Sequence, residues 1–218
     1  WTARAVLRVV QYHRQDAKPD EWSFPSPEVA AHIPEPDVHI VQMYLADGAE
    51  WWHAVEYVSG WLRANVADLP THVLLRTALL VERMIDAARY RNAAAWSAAA
   101  IRLARARRWP AWVAAFSTRR AVALVKAGRL SAAEASRRRA EGRTDPGDAL
   151  TAAWLVWTDG LIALARHDLA AAQERLRQCQ QMFEGLGDGH HARRVEADLA
   201  LAAVTGRQTA AKASFNDS

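Results

Sequence analysis

The residues able to do chemistry in this 218-residue chain are few and scattered. His190 and His191 stand side by side after Asp188-Gly189. A helical metal site needs ligands on one face, four residues apart, and neither histidine has a partner at that spacing. The pair reads as the polar start of a helix. His13, His32, His39, His53, His72 and His167 show no ligand spacing either. Cys179 is the single cysteine, which excludes an intrachain disulfide and fits a reducing, cytoplasmic compartment. Gly185, Gly187 and Gly189 follow a helical pattern rather than a strand and lack the lysine of a phosphate loop, so they read as turn residues. No enzyme signature, metal set or cofactor motif emerges.

Two arginine groups are denser. Arg102, Arg105, Arg107 and Arg108 end one helical stretch, and Arg137, Arg138, Arg139 and Arg143 end another. Cations near a helix C-terminus are favoured by the macrodipole, which accounts for both groups. The net charge of +4 is mild, and no base-reading or stacking residues interleave the arginines. Direct nucleic-acid binding is therefore not expected. Ten tryptophans are the oddest feature of the composition.

The elements that carry these residues repeat. Ala127-Gly128-Arg129-Leu130-Ser131-Ala132-Ala133 is matched by Thr205-Gly206-Arg207-Gln208-Thr209-Ala210-Ala211, by Ala165 to Ala172 and by Ala88 to Ala93, and more weakly by Asp47 to Ala54. The anchor alanines are Ala54, Ala93, Ala133, Ala172 and Ala211, spaced 39, 40, 39 and 39 residues apart. A period of this size marks a helical solenoid, whose paired helices cannot bury their apolar faces alone. Large residues stand three before the first four anchors (Trp51, Tyr90, Leu130, Leu169) and apolar ones seven after them (Trp61, Ala100, Ala140, Cys179). Cys179 is thereby a small core residue. The anchors are small so that two helices can approach, and Gly128 and Gly206 fit C-cap positions.

Helix pairs are expected at about 36–46 and 49–66, 70–88 and 90–107, 110–127 and 130–142, 146–166 and 168–185, with a last helix at 190–205. Pro110 suits a first helical position, and Asp145-Pro146 is expected to open the helix that follows it. Residues 1–35 read as an irregular N-terminal domain: an amphipathic helix, then a linker broken by Pro19, Pro25, Pro27 and Pro34. Residues 36–218 form the repeat array, with the fifth repeat truncated after Gly206. The chain begins with Trp and its last repeat stops early, so it reads as a piece of a longer protein. With 51% hydrophobic residues and few Gly and Pro, the fold class is all-α. No apolar run approaches the ~20 residues of a membrane span.

This pattern resembles the tetratricopeptide-repeat family, which sets a bulky residue and then a small Ala three positions on in its second helix. Trp157 and Gly160 are similar to the Trp and Gly of the family's first helix, one residue closer together. The longer period implies extended helices. Residues 168–204 look like the helical arrays of actinobacterial LuxR-type and ATPase regulators. Residues 107–128, with Arg108-Trp109-Pro110-Ala111-Trp112, look like repeats that precede CHAT caspase-like protease domains. Few lysines against many arginines and the heavy use of alanine also suggest a GC-rich bacterial source.

The resemblance implies a protein- or peptide-binding scaffold or sensor region of a larger bacterial regulatory protein, not itself an enzyme, with the ligand on the concave face lined by first helices. The alternatives are the regulatory arm of a CHAT protease and a self-assembly module, so a homo-oligomer is allowed. Family groove positions fall on Trp154, Trp157 and Leu161; on Thr118, Val122 and Lys126; on Glu82 and Asp86; and on Arg193 and Glu196. Trp51, Trp61 and Trp96 fit core positions. Trp154 and Trp157 fit either an aromatic groove anchor or the core.

Overall fold

The computed structural model describes residues 71–216. The expected N-terminal domain at 1–35, the first helix pair and the anchor Ala54 lie outside the described residues. Seven helices make up what is described, with no strand among those residues. They are α1 (Thr71–Asp86), α2 (Tyr90–Ala106), α3 (Pro110–Lys126), α4 (Leu130–Glu141), α5 (Ala149–Ala165), α6 (Leu169–Gly185) and α7 (Gly189–Asn216). The helices expected between 70 and 185 are present within a few residues at each end, and the last, expected at 190–205, runs on to Asn216.

Neighbouring helices are joined by one recurring turn. Ala88, Arg108, Gly128, His167 and Gly187 each adopt a left-handed backbone, with φ between 55° and 73°. At each turn two hydrogen bonds close the preceding helix. The N–H of Gly128 donates to Val125 O at 2.8 Å and that of Arg129 to Leu124 O at 2.8 Å. His167 and Asp168 repeat the pattern onto Leu164 O and Ala163 O, as do Gly187 and Asp188 onto Glu184 O and Phe183 O. This is the Schellman closure, which satisfies carbonyls the helix leaves open. Glycine takes that conformation freely, whereas alanine, arginine and histidine do so at a cost of about 1 kcal/mol.

After α4 the connection is longer. Gly147 N–H donates to Asp145 Oδ1 at 2.8 Å, a local turn that holds Asp145-Pro146 outside the helix. The helix therefore opens at Ala149 instead of Pro146, capped by Asp148, whose carboxylate accepts from Thr151 N at 2.9 Å. Asp168 and Asp188 cap α6 and α7 in the same way.

Consecutive helices pack along the chain, and the first helices α1, α3 and α5 also pack on one another. The anchors Ala93, Ala133 and Ala172 are fully buried, as are Ala100, Ala140 and Cys179 two turns further along the same helix face. Gly160 lies at the tightest crossing of α5 and α6. A Cβ there would come within 2.8 Å of Leu176 Cγ, so only glycine fits. The core falls into two clusters. The larger holds Leu80, Met84, Leu124, Trp154, Trp157, Leu176 and Phe183, and the smaller Leu74, Ile101, Val113 and Phe116.

One expected turn is absent. The fifth repeat was to begin with a C-cap at Gly206, but α7 runs through it without a break. A helix interior tolerates one glycine at about 1 kcal/mol, and the alanine-rich residues that follow are good helix formers. Gly206 rests beside Leu169, where a Cβ would sit at an ordinary 3.4 Å.

The two glycines therefore predict opposite signs. Gly128→Ala should lower stability by about 1 kcal/mol, because φ is positive there. Gly206→Ala should raise it by up to about 1 kcal/mol. Urea denaturation of both variants checks this, and a loss at Gly206 would mean that a turn forms there.

Candidate functional site

Seven of the expected groove residues converge, and they converge inward. Glu82, Asp86, Thr118, Lys126, Trp154, Trp157 and Leu161 lie on α1, α3 and α5, the helices expected to line a concave face. Trp154 and Trp157 have 0% exposure, and Leu161 and Thr118 are buried. Of the two positions the sequence leaves open for these tryptophans, groove or core, the structure places them in the core. The cover comes from α7, which lays His191 and Arg194 over them. Thr118 closes on its own helix, donating to Ala115 O at 2.8 Å. Arg193 and Glu196, on the outer face of α7, are exposed, and so is Asp86 at the end of α1, although its carboxylate pairs with Arg194.

The centre is an aromatic cluster. Trp154 and Trp157 have ring centroids 4.9 Å apart. Phe183 meets both edge-on at 6.3 and 6.1 Å and stacks on His191 at 5.1 Å. Such geometries add to burial because ring edges face ring faces. His191 is 3% exposed, so it is a buried member of this cluster and not merely a polar helix start.

Charges surround the rings in two layers. In the first, Arg119 Nε donates to Glu82 Oε1 at 2.7 Å and its guanidinium lies 4.7 Å from the Trp154 ring centre. His191 then joins α7 to α1, with Nε2 at 3.6 Å from Glu82 Oε2, while Nδ1 sits 2.6 Å from Asp188 Oδ2. In the second layer Trp157 Nε1 donates to Asp198 Oδ2 at 2.9 Å, and Asp198 Oδ1 accepts from Lys126 Nζ at 2.6 Å. Arg194 lies 5.0 Å from the Trp157 ring centre and pairs with Asp86 at 2.8 Å. His190 Nε2 approaches the other Asp86 oxygen at 3.5 Å. Each layer thus runs through residues of α1, α3, α5 and α7, and α7 closes it against α1.

The titration of the carboxylates follows from these neighbours. Burial pushes the Glu82 carboxyl up, but Arg119, His191 and Arg194 together outweigh it and hold it below its ordinary 4.5. Burial also pushes Asp86 up, and its hydrogen bond to His190 with the charge of Arg194 brings it below 3.8. Cys179 behaves in the opposite way. Burial, then the charge of Asp198, drives its thiol far up, and its Sγ donates to Ala153 O at 3.3 Å. A thiol in that state is no nucleophile.

What the arrangement does chemically is hold charges in place. Among the described residues no group of three His, Cys, Asp or Glu side chains is placed to hold a metal ion, and no helix is long and apolar enough to cross a membrane. Arg119, His191, Arg194 and Asp198 belong to the network and were not singled out from the sequence as such. A signal was available: Arg119 interrupts an apolar helical run, and a charge on a core face demands a buried partner.

Breaking the inner pair from one side should be costly. Arg119→Met leaves Glu82 buried without its main partner and should cost about 3–5 kcal/mol, whereas Arg119→Met with Glu82→Leu should recover most of that loss. Equilibrium unfolding of the single and double variants measures it.

The pH dependence has a definite sign. Two carboxylates whose folded values lie below their ordinary ones stabilise the fold fully above those ordinary values, and the contribution is lost as pH falls through the folded values. Urea midpoints should fall below about pH 4.5, and Glu82→Gln with Asp86→Asn should flatten that slope. In comparisons with known proteins, no family model matches the chain, and no curated protein and no solved structure shows significant similarity to it.

Proposed function

We propose that the chain is a tetratricopeptide-like helical array that works as a protein-binding scaffold or sensor region of a larger bacterial regulatory protein. The reading is supported by the sequence period of 39–40 residues, the buried anchor alanines and the recurring turn, which together suit stacking of helix pairs. The side of α1, α3 and α5 that carries Glu82, Lys126 and Trp157 is covered by side chains of α7, so we place the partner elsewhere.

The observation that carries the reading is the outer face of α7. Leu201 is 55% and Val204 39% exposed, three residues apart on one side of the helix. Ala197 and Ala200 extend the stripe, and Arg193 and Glu196 stand at its N-terminal end. An apolar stripe with charges at its margin is what a partner helix packs against. The same stripe supports a second reading, self-assembly through α7, because two such faces could also bury each other.

Using the 218-residue chain as bait in bacterial lysate, we expect a protein retained by the wild type and lost with Leu201→Asp/Val204→Asp, a variant that should unfold at an unchanged temperature. Retention by that variant would refute the α7 surface. Sedimentation velocity separates the second reading, since self-assembly predicts a concentration-dependent size that the same variant abolishes.

A further inference from the structure

The exposed stripe of α7 occupies repeat positions that α3 and α5 bury. One repeat before Ala197, Ala200 and Leu201 stand Thr158, Leu161 and Ile162 on α5, and two repeats before them stand Arg119, Val122 and Ala123 on α3, at steps of 39 residues. All of these on α3 and α5 are buried, whereas the three on α7 are exposed. A helix face whose register is interior elsewhere in the array is suited to receive another helix.

The stripe also carries charge along one margin. Glu196 and Arg207 are exposed and eleven residues apart, about three turns, which brings them onto the same edge of the helix. At about 100° per residue Leu201 falls on the opposite edge, and Ala197, Ala200 and Val204 fill the middle. Two helices packed antiparallel about a two-fold axis set like margin against like margin. With that axis near Leu201, Glu196 of each copy comes level with Arg207 of the other, at both ends of the contact. Leu201 then meets its own counterpart across the other margin. A parallel pair would set the charged margin of each copy against the Leu201 margin of the other, and neither charge would be met.

We propose that α7 is a dimer interface, closed by the same helix of a second copy running antiparallel, with Glu196 and Arg207 paired twice across the two-fold axis. This pairing rests on the self-assembly reading of the stripe and adds the direction and register of the occupant. Ala197 and Ala200 let the two helix axes approach closely, while Leu201 and Val204 supply apolar area. Such a contact is isologous and closed, so association stops at two copies. The stripe from Arg193 to Gln208 is about four turns long, a small interface, and the dimer dissociates at micromolar concentrations.

Sedimentation equilibrium of the 218-residue chain at low salt, from about 5 to about 500 μM, tests it. We expect a reversible monomer–dimer equilibrium with nothing larger. Glu196→Arg and Arg207→Glu should each weaken it at least about fivefold, because each turns both ion pairs into like-charge contacts. An equimolar mixture of the two variants should associate about as tightly as wild type, since antiparallel pairing then matches every one of these charges with its opposite on the other copy. A variant that merely misfolded would show no such recovery. A wild type that stays monomeric throughout would overturn the dimer, and if it still retained a lysate protein through α7 the scaffold reading would stand. A dimer that Leu201→Asp/Val204→Asp abolishes but the charge variants leave unchanged, or charge variants that stay apart when mixed, would overturn the antiparallel pairing.

Discussion

A charge inside a helical bundle stays there only if an opposite charge meets it, and the pair of Glu82 and Arg119 is where this protein meets that condition. The pair joins α1 to α3. Because Glu82 also faces His191 and Arg119 also covers Trp154, the same two side chains bring in α7 and α5. Four helices, far apart in sequence, are tied by one network whose members would be costly to bury singly. Apolar packing alone would hold neighbouring helices together. It would not specify that α7 returns to α1, since one leucine surface is much like another. The charges supply that registry, a use of buried ion pairs that suits their modest net contribution to stability.

The backbone makes the network possible by keeping its spacing. Five turns adopt the same left-handed closure, and the small anchors let paired helices approach to nearly the same depth each time. Among the first helices, α1 packs on α3 and α3 on α5. That packing lets α7 reach Glu82 and Asp86 on α1, Lys126 on α3 and Trp157 on α5 together. Gly160 shows how little slack remains, because even a methyl group there would strike Leu176.

This is also why the fold was more legible in the sequence than the site. Ala93, Ala133 and Ala172 announce their burial through a period that any single sequence displays, and helix ends follow from Pro110 and Gly128. The groove positions followed from the same register, so they found the right helix face. Their exposure did not follow, because it depends on α7, and nothing periodic says whether a later helix covers an earlier face. His191 illustrates the difficulty. Beside Asp188 and Gly189 it has the local look of a polar helix start, and only the tertiary approach of Glu82 and Phe183 makes it a buried residue. Gly206 failed for a related reason. Its neighbours repeat those of Gly128, but the alanines after it continue a helix as readily as they begin one, and a helix tolerates a single interior glycine.

The arrangement leaves the protein with two electrically different sides. Lys126, Arg119 and Arg194 are matched to Asp198, Glu82 and Asp86 within the bundle, so the inner face is close to neutral despite its density of charge. Arg120 and Arg139, on α3 and α4, are matched to nothing comparable and instead lie near other arginines. Arg119 and Arg120 take different sides of α3 because adjacent helix positions differ by one step of about 100°. The inner charges are therefore committed to holding helices together.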